Sequence, residues 1–414
     1  MMVTTGISDP TRRSVAAGLT AAGFGLLAGI PVPARAAARL DMGALVAAYD
    51  AQGYHRTGHL ADAANADWLA AEAASLGAIV SIETFAIDRV EPGNCFIEIE
   101  GVRIPGVPVF DAAFTGPDGI GGSIGTGDEA EIGLATLGPL AIYQPAYEAY
   151  RSTKSHRALV TITQGGRPGL ALFNAERFLQ PYGVPNLLVA SEAGPALMDA
   201  AAAKKSAHLV ADVRRVPTQA RNVVATIKGR QTGARPVAVM TPRSGWWHCA
   251  SERGGGIACW LEVLRALRDA PPAGDVVLVA SSGHELGHIG LDDFMARRPA
   301  LVTGATWLHF GANIGARDSK LTLQSPQDDL RQLGTSRLAQ AGHPAAGLSP
   351  PGQVPFGESR AIHKAGGRYL TLIGSNDLFH LEQDRWPDAV DVGAIERIAT
   401  AAGQMAAAMA GSVG

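Results

Sequence analysis

The sequence predicts an α/β fold with a mostly parallel central sheet, helices on both of its faces, and a β-rich insertion. Three observations carry that prediction. Beyond Asn222 strand-like and helix-like segments alternate, the later strand segments are continuously apolar, and the polar residues able to carry chemistry fall just after strands. A strand without polar alternation is buried on both faces, as happens when helices cover both sides of a parallel sheet. Open sheets of this kind place their chemistry at the carboxyl ends of the strands.

At the start of the chain, Thr11-Arg12-Arg13-Ser14-Val15 precedes an uncharged Gly/Ala/Leu-rich stretch ending at Ile30, then Pro31-Val32-Pro33-Ala34-Arg35-Ala36. This pattern predicts a twin-arginine export signal with a small-residue cleavage site over residues 1–38, and so a periplasmic or secreted mature chain. The apolar run is nearly long enough for a membrane anchor, but its glycines make it weakly hydrophobic. No membrane partner is expected once the signal is cleaved. Leu69, Ala73 and Leu76 share one face of a predicted helix from Leu60 to Leu76, and Ile79 to Ile87 reads as a strand. From about Val90 to Thr218 short β-like runs split by Gly and Pro take over: Phe96–Ile99, Ala158–Ile162 and Leu187–Val189. Residues 90–218 are therefore predicted to interrupt one α/β domain made of residues 39–89 and 219–414. That domain continues with strands at Val223–Ile227 and Val237–Met240, a helix from Ile257 to Arg268, a strand at Val276–Ala280 and a final Ala-rich helix ending near Met409.

Composition bounds the partners. A chain of 414 residues, 47% hydrophobic and 18% charged, buries one large core or two. Its formal net charge of -3 lacks long like-charge runs, which excludes the electrostatic footprint of a nucleic-acid binder. A small-molecule or peptide substrate is expected, and nothing sets the oligomeric state. Cys95, Cys249 and Cys259 leave at least one thiol unpaired within the chain, and a Cys249–Cys259 bridge is open. Without a C-x-x-C pair there is neither a dithiol redox motif nor a multi-thiolate zinc site.

His284-Glu285-Leu286-Gly287-His288 fits H-E-x-x-H, in which two imidazoles one helical turn apart hold zinc and the glutamate activates water. Its setting is unlike a helix, because an apolar strand ends at Ala280 just before it and Gly283, Gly287 and Gly290 lower helix propensity.

The order of elements resembles the zinc aminopeptidase and glutaminyl cyclase family, beginning with Asn222-Val223-Val224-Ala225-Thr226-Ile227-Lys228-Gly229, which is similar to its entry strand. Tyr182-Gly183-Val184-Pro185-Asn186-Leu187-Leu188-Val189 and the segment to Thr218 resemble the closing part of the protease-associated domain carried by many of these enzymes. Phe379-His380-Leu381-Glu382-Gln383-Asp384 is similar to the family's final metal-binding histidine, followed four residues on by Asp384. Ser251-Glu252-Arg253-Gly254-Gly255-Gly256 resembles the loop of its metal-bridging aspartate, and Gly283-His284-Glu285-Leu286-Gly287 its Glu-Glu-x-Gly stretch.

The resemblance implies one zinc ion held by Glu252, Glu285 and His380, with an open fourth position, and His284 in the place of the general-base glutamate. It also implies a loss: the H-x-D element falls on Pro242-Arg243-Ser244 and a further carboxylate falls near Ala312, so a second metal lacks its own ligands. Glu252 could instead pair with neighbouring Arg253. His288 and His309 are candidate supporting donors, alternative ligands or core residues; Trp246 and Trp247 are core or pocket wall; Arg243 binds a substrate carboxylate or an acidic neighbour. The leading expectation is an exported single-zinc hydrolase of an amide, peptide or related bond. Its alternatives are a cyclase-like acyl transferase or lyase, a zincin-like peptidase with His284 and His288 as ligands, and a binding protein on a degenerate scaffold.

Overall fold

Apolar runs in the carboxyl-terminal half of the chain bury both faces, and this makes them the centre of a sheet. The computed structural model describes residues 39–411, so the expected export signal over residues 1–38 lies outside the described residues. In chain order, α1 (Met42–Asp50) and α2 (Leu60–Ser75) precede β1 (Ile79–Ile99). Then come β2 (Val102–Pro108), β3 (Gly116–Gly125), β4 (Ile132–Leu137), α3 (Pro145–Arg151), β5 (Ala158–Thr163), β6 (Asn186–Val189) and α4 (Gly194–Ala202). The long β7 (Ser206–Ile227) leads into β8 (Val237–Pro242), α5 (Ala250–Asp269), β9 (Val276–Ser281), α6 (Ile289–Arg297), α7 (Pro299–Gly304) and β10 (Thr306–Phe310). The chain ends with β11 (Thr322–Gln324), α8 (Asp328–Gln340), β12 (Gly347–Leu348), α9 (Ser359–Lys364), β13 (Arg368–Ile373) and α10 (Val392–Met409).

The main sheet runs β1-β7-β9-β8-β10-β13-β11-β12. Its four central strands, β9, β8, β10 and β13, are mutually parallel, while β7 and β11 flank them antiparallel. Alternate residues point to opposite faces. Val237, Val239, Leu308 and Phe310 join the larger core under α1, α2, α5, α8 and α10, whereas Ala238, Met240, Trp307 and Tyr369 pack with Leu291, Phe294 and Ile362 of α6 and α9.

The β-rich segment expected as an insertion has a core of its own, built from Ile97, Leu134, Val160, Leu187 and Leu209 among others. Its strands close on themselves in the order β1-β2-β6-β5-β4-β3-β7, because β7 pairs back onto β1. No linker separates it from the main sheet: β1 and β7 pair from Ile79↔Thr226 to Ile99↔Ala207, across the boundaries expected near residues 90 and 218, with one register shift between Pro92 and Cys95. The strand expected to end at Ile87 therefore runs on to Ile99.

Two local features position the site. The helix expected from Ile257 begins at Ala250, and it lies so close to the loop after β10 that a Cβ on Gly255 would stand 1.7 Å from the Ile314 carbonyl oxygen. The H-E-x-x-H segment is not α-helical: His284–Leu286 form a single 3-10 turn, and Gly283, Gly287 and His288 take positive φ around it. All three cysteines are free, so Cys249 and Cys259, both buried, form no bridge. Among the described residues, no helix is long and apolar enough to cross a membrane.

Candidate active site

From β8 the chain passes to β9 on one side, then crosses to β10 on the other, which opens a crevice above the carboxyl ends of β8 and β10. Residues 243–249, 282–288, 311–316 and 374–384, the loops after β8, β9, β10 and β13, meet there with the amino-terminal turn of α5. Four non-glycine residues in these loops hold left-handed backbone: Cys249 (φ 54°), His288 (66°), Asn313 (61°) and His380 (63°). Such residues cost about 1 kcal/mol or more each, and their gathering at one place is typical of functional sites. A cavity of about 380 Å³ opens on this ground, lined by His284, Glu358, Asn174, Asn313, Gln324, Tyr143, Phe356 and Phe379 among others.

Glu358 sits at the centre of one polar cluster. Its buried carboxylate meets His284 Nδ1 at 2.6 Å through Oε1 and His309 Nε2 at 3.1 Å through Oε2. The half-buried His288 ring stands 4.9 Å from that of His284, centroid to centroid. Burial alone would raise the Glu358 pKa, but the charges of His284 and His288 and the hydrogen bonds from His284 and His309 outweigh it and hold the carboxyl well below its usual range. Burial also pulls His288 down to about 4, against the attraction of Glu358. Ligand atoms of His284, His288 and Glu358 all lie within 4.8 Å of one another, and this is the one such group of three among the described residues.

A second cluster lies deeper. Asp384 accepts from the backbone N–H groups of Ser251 and Glu252 at 2.8 and 2.9 Å, which ties down the first turn of α5. Burial pushes the Asp384 carboxyl up to about 7, against those hydrogen bonds. Arg253 Nη2 lies 2.7 Å from Glu252 Oε1, with both side chains 1% exposed, and Arg253 Nε donates to the Ser244 carbonyl at 2.8 Å. Burial would raise the Glu252 pKa, yet Arg253, His380 and His284 together bring it below the ordinary value. His380 Nδ1 contacts the Leu172 carbonyl at 2.6 Å, and Trp247 Nε1 donates to the His380 carbonyl at 2.9 Å. Its Nε2 is then turned toward Glu252 Oε1, 3.6 Å away. Burial pulls His380 down to about 4, so the ring is neutral near pH 7.

No protein-family model matches the sequence, and neither does any curated protein. Solved structures do match. A zinc aminopeptidase from Bacillus subtilis superposes with a TM-score of 0.72 at 18% identity, over 87% of this chain and 93% of that one. A peptidase M28 precursor from Shewanella amazonensis gives 0.71 at 15% identity over 89% and 92%, and an aminopeptidase from Aneurinibacillus sp. gives 0.67 at 13% over 89% and 93%. The fold is that of the zinc aminopeptidases.

On this zinc aminopeptidase fold the expected ligands Glu252, Glu285 and His380 do not converge on one point. Glu285 is committed elsewhere: Oε1 accepts from Thr57 N and Oε2 from Ser244 Oγ, each at 2.7 Å. Glu252 is paired with Arg253, so the ion pair weighed from the sequence is present, but buried and not on the surface. Arg243 does not face the cavity; it is fully buried against Asp62 Oδ1 at 2.8 Å, the Asp62 carbonyl at 2.7 Å and Asn65 Oδ1 at 3.1 Å. Trp246 is core, its Nε1 on Asn174 Oδ1 at 3.1 Å, while Trp247 and Asp384 position His380 and α5. His284 lines the cavity, and His288 and His309 gather around Glu358. Sequence reasoning missed Glu358. Its nearest signal is Phe356-Gly357-Glu358-Ser359, where Gly357 (φ 70°) turns the chain just before α9.

Proposed function

We propose that this chain is an exported, metal-dependent hydrolase of amide or peptide bonds, using one ion held by His284, His288 and Glu358. The observation that carries the reading is that ligand atoms of those three side chains lie within 4.8 Å of one another, with His284 and Glu358 lining the cavity. Two imidazoles and a carboxylate are a donor set suited to zinc with an open fourth position. When bound, such an ion polarises a carbonyl and lowers the pKa of a water.

The chain's own residues supply the rest. His309 holds the second oxygen of Glu358 and so fixes the plane of the carboxylate. Thr57 N and Ser244 Oγ grip Glu285, and Ser244 Oγ also accepts from the N–H groups of Gly283 and His284, which locks the turn that presents His284. Tyr143, Phe356 and Phe379 give the cavity apolar walls, and Asn174 and Asn313 offer amide groups of the kind that match a peptide. Tyr143 and Asn174 belong to residues 90–218, read as a protease-associated-like insertion that walls the site. Export rests on Thr11-Arg12-Arg13 and the apolar stretch after it.

Metal analysis of protein purified without chelator tests the reading. One zinc per chain is expected, lost together with amide hydrolysis in His288→Ala and in Glu358→Gln. Wild-type protein free of metal, or full metal retention in both variants, would sink it. A second reading has an observation of its own: the 2.6 Å contact between Glu358 and His284 Nδ1 is how a carboxylate orients an imidazole base. Under it, hydrolysis survives chelator but not His284→Gln.

A further inference from the structure

The deeper cluster resolves differently from what its sequence implies. Glu252 and His380 stand where the resemblance assigns metal ligands, yet a side chain of the same protein has reached the carboxylate first. We propose that the Arg253 guanidinium is a built-in cation in the place of a divalent ion, so that Glu252 and His380 bind no metal in the wild-type chain.

Four features support this. Arg253 Nη2 is 2.7 Å from Glu252 Oε1, and both groups are sealed at 1% exposure. The guanidinium is held in position, because Nε donates to the carbonyl of Ser244, a residue of the segment that lacks the H-x-D element. The loop is drawn tightly around it: a Cβ on Gly245 would lie 2.7 Å from Cys249 Sγ and 3.7 Å from Arg253 Nε. Finally, the polar atoms here without a hydrogen-bond partner are complementary. They are acceptors on one side, Glu252 Oε1 and Oε2 and His380 Nε2, and donors on the other, Arg253 Nη1 and Nη2. The two sets meet at the Arg253–Glu252 contact.

Charge leads to the same assignment. One carboxylate and one guanidinium cancel, whereas a divalent ion added beside them would face a permanent positive charge in a low-dielectric space. Arginine cannot relieve that repulsion by losing a proton, as lysine or histidine would. The remaining would-be partner, Glu285, is already engaged by Thr57 and Ser244.

The inference is independent of the ion proposed at His284, His288 and Glu358, and zinc counted by mass spectrometry after equilibration with excess zinc and gel filtration tests it. With Arg253 intact, His380→Ala and Glu252→Gln are expected to hold the same zinc per chain as wild type. Arg253→Ala is expected to gain one equivalent, and His380→Ala in the same chain to remove it. Loss of an equivalent in His380→Ala or Glu252→Gln with Arg253 present would overturn the proposal, as would folded Arg253→Ala that takes up no extra zinc. Where Arg253→Ala does not fold, the two counts with Arg253 intact decide. Failure of the other metal reading is recognised separately, at His288→Ala.

Discussion

Two of the buried carboxylates at the carboxyl end of the sheet, Glu358 and Glu252, are neutralised in opposite ways. Glu358 is ringed by His284, His288 and His309, groups that can gain or give up a proton or turn a lone pair to a metal, and it borders an open cavity. Glu252 is matched to Arg253, whose charge is permanent, and both are sealed. A carboxylate among imidazoles remains available for chemistry, whereas one tied to a guanidinium is consumed by structure. The difference teaches that position in a fold does not settle a residue's role; the counter-charge does.

The largest effect expected on this comparison comes from breaking the sealed pair. Arg253→Leu leaves Glu252 as an uncompensated buried charge, and should cost about 3–5 kcal/mol in urea unfolding, with most of it recovered in the double variant with Glu252→Gln. A loss below about 1 kcal/mol would mean that the pair is hydrated and the contrast between the clusters is false.

The next effect reads the sealed side through pH. His55 is buried, stacked on Tyr49 at 3.8 Å, and burial pulls it down to about 3. Its folded pKa is below its unfolded value of about 6.5. The unfolded chain therefore binds more protons, and stability falls as the pH drops from about 6.5 toward 3. Wild type should lose about 2–3 kcal/mol from this group between pH 7 and pH 4.5, and His55→Gln should flatten that part of the profile. An unchanged slope in the variant would show that His55 is solvated.

The smallest effect sharpens the open side. His309→Gln removes one support of Glu358 and should weaken zinc affinity or kcat/KM about tenfold, measured by chelator competition and amide hydrolysis. A drop as large as that of Glu358→Gln would make His309 a direct participant.

Much of the fold was legible because its signals are local. The apolar runs at Val237–Met240 and Val276–Ala280 need nothing beyond their own composition to read as doubly covered strands, and they are β8 and β9. His284 was legible for the same reason, since it follows such a strand at once. Glu358 was not: it lies 74 residues from the imidazole that it contacts, in a Pro/Gly-rich stretch with no period, and only the turn at Gly357 delivers it. The Glu252–Arg253 pair was legible as a pair, but not as buried, because burial of α5 depends on Gly255 meeting a loop about 60 residues on. Glu285 carried a family role in the sequence, and the distant Thr57 N–H, which no motif links to it, gives it another.

The continuity of β1 and β7 has a mechanical consequence. Because β1 and β7 both pass from the main sheet into the closed ring, with one register shift between Pro92 and Cys95, the β-rich wall is carried on two beams. Under the hydrolase proposed above, a substrate at His284 meets Tyr143 and Asn174 of that wall in the same cavity.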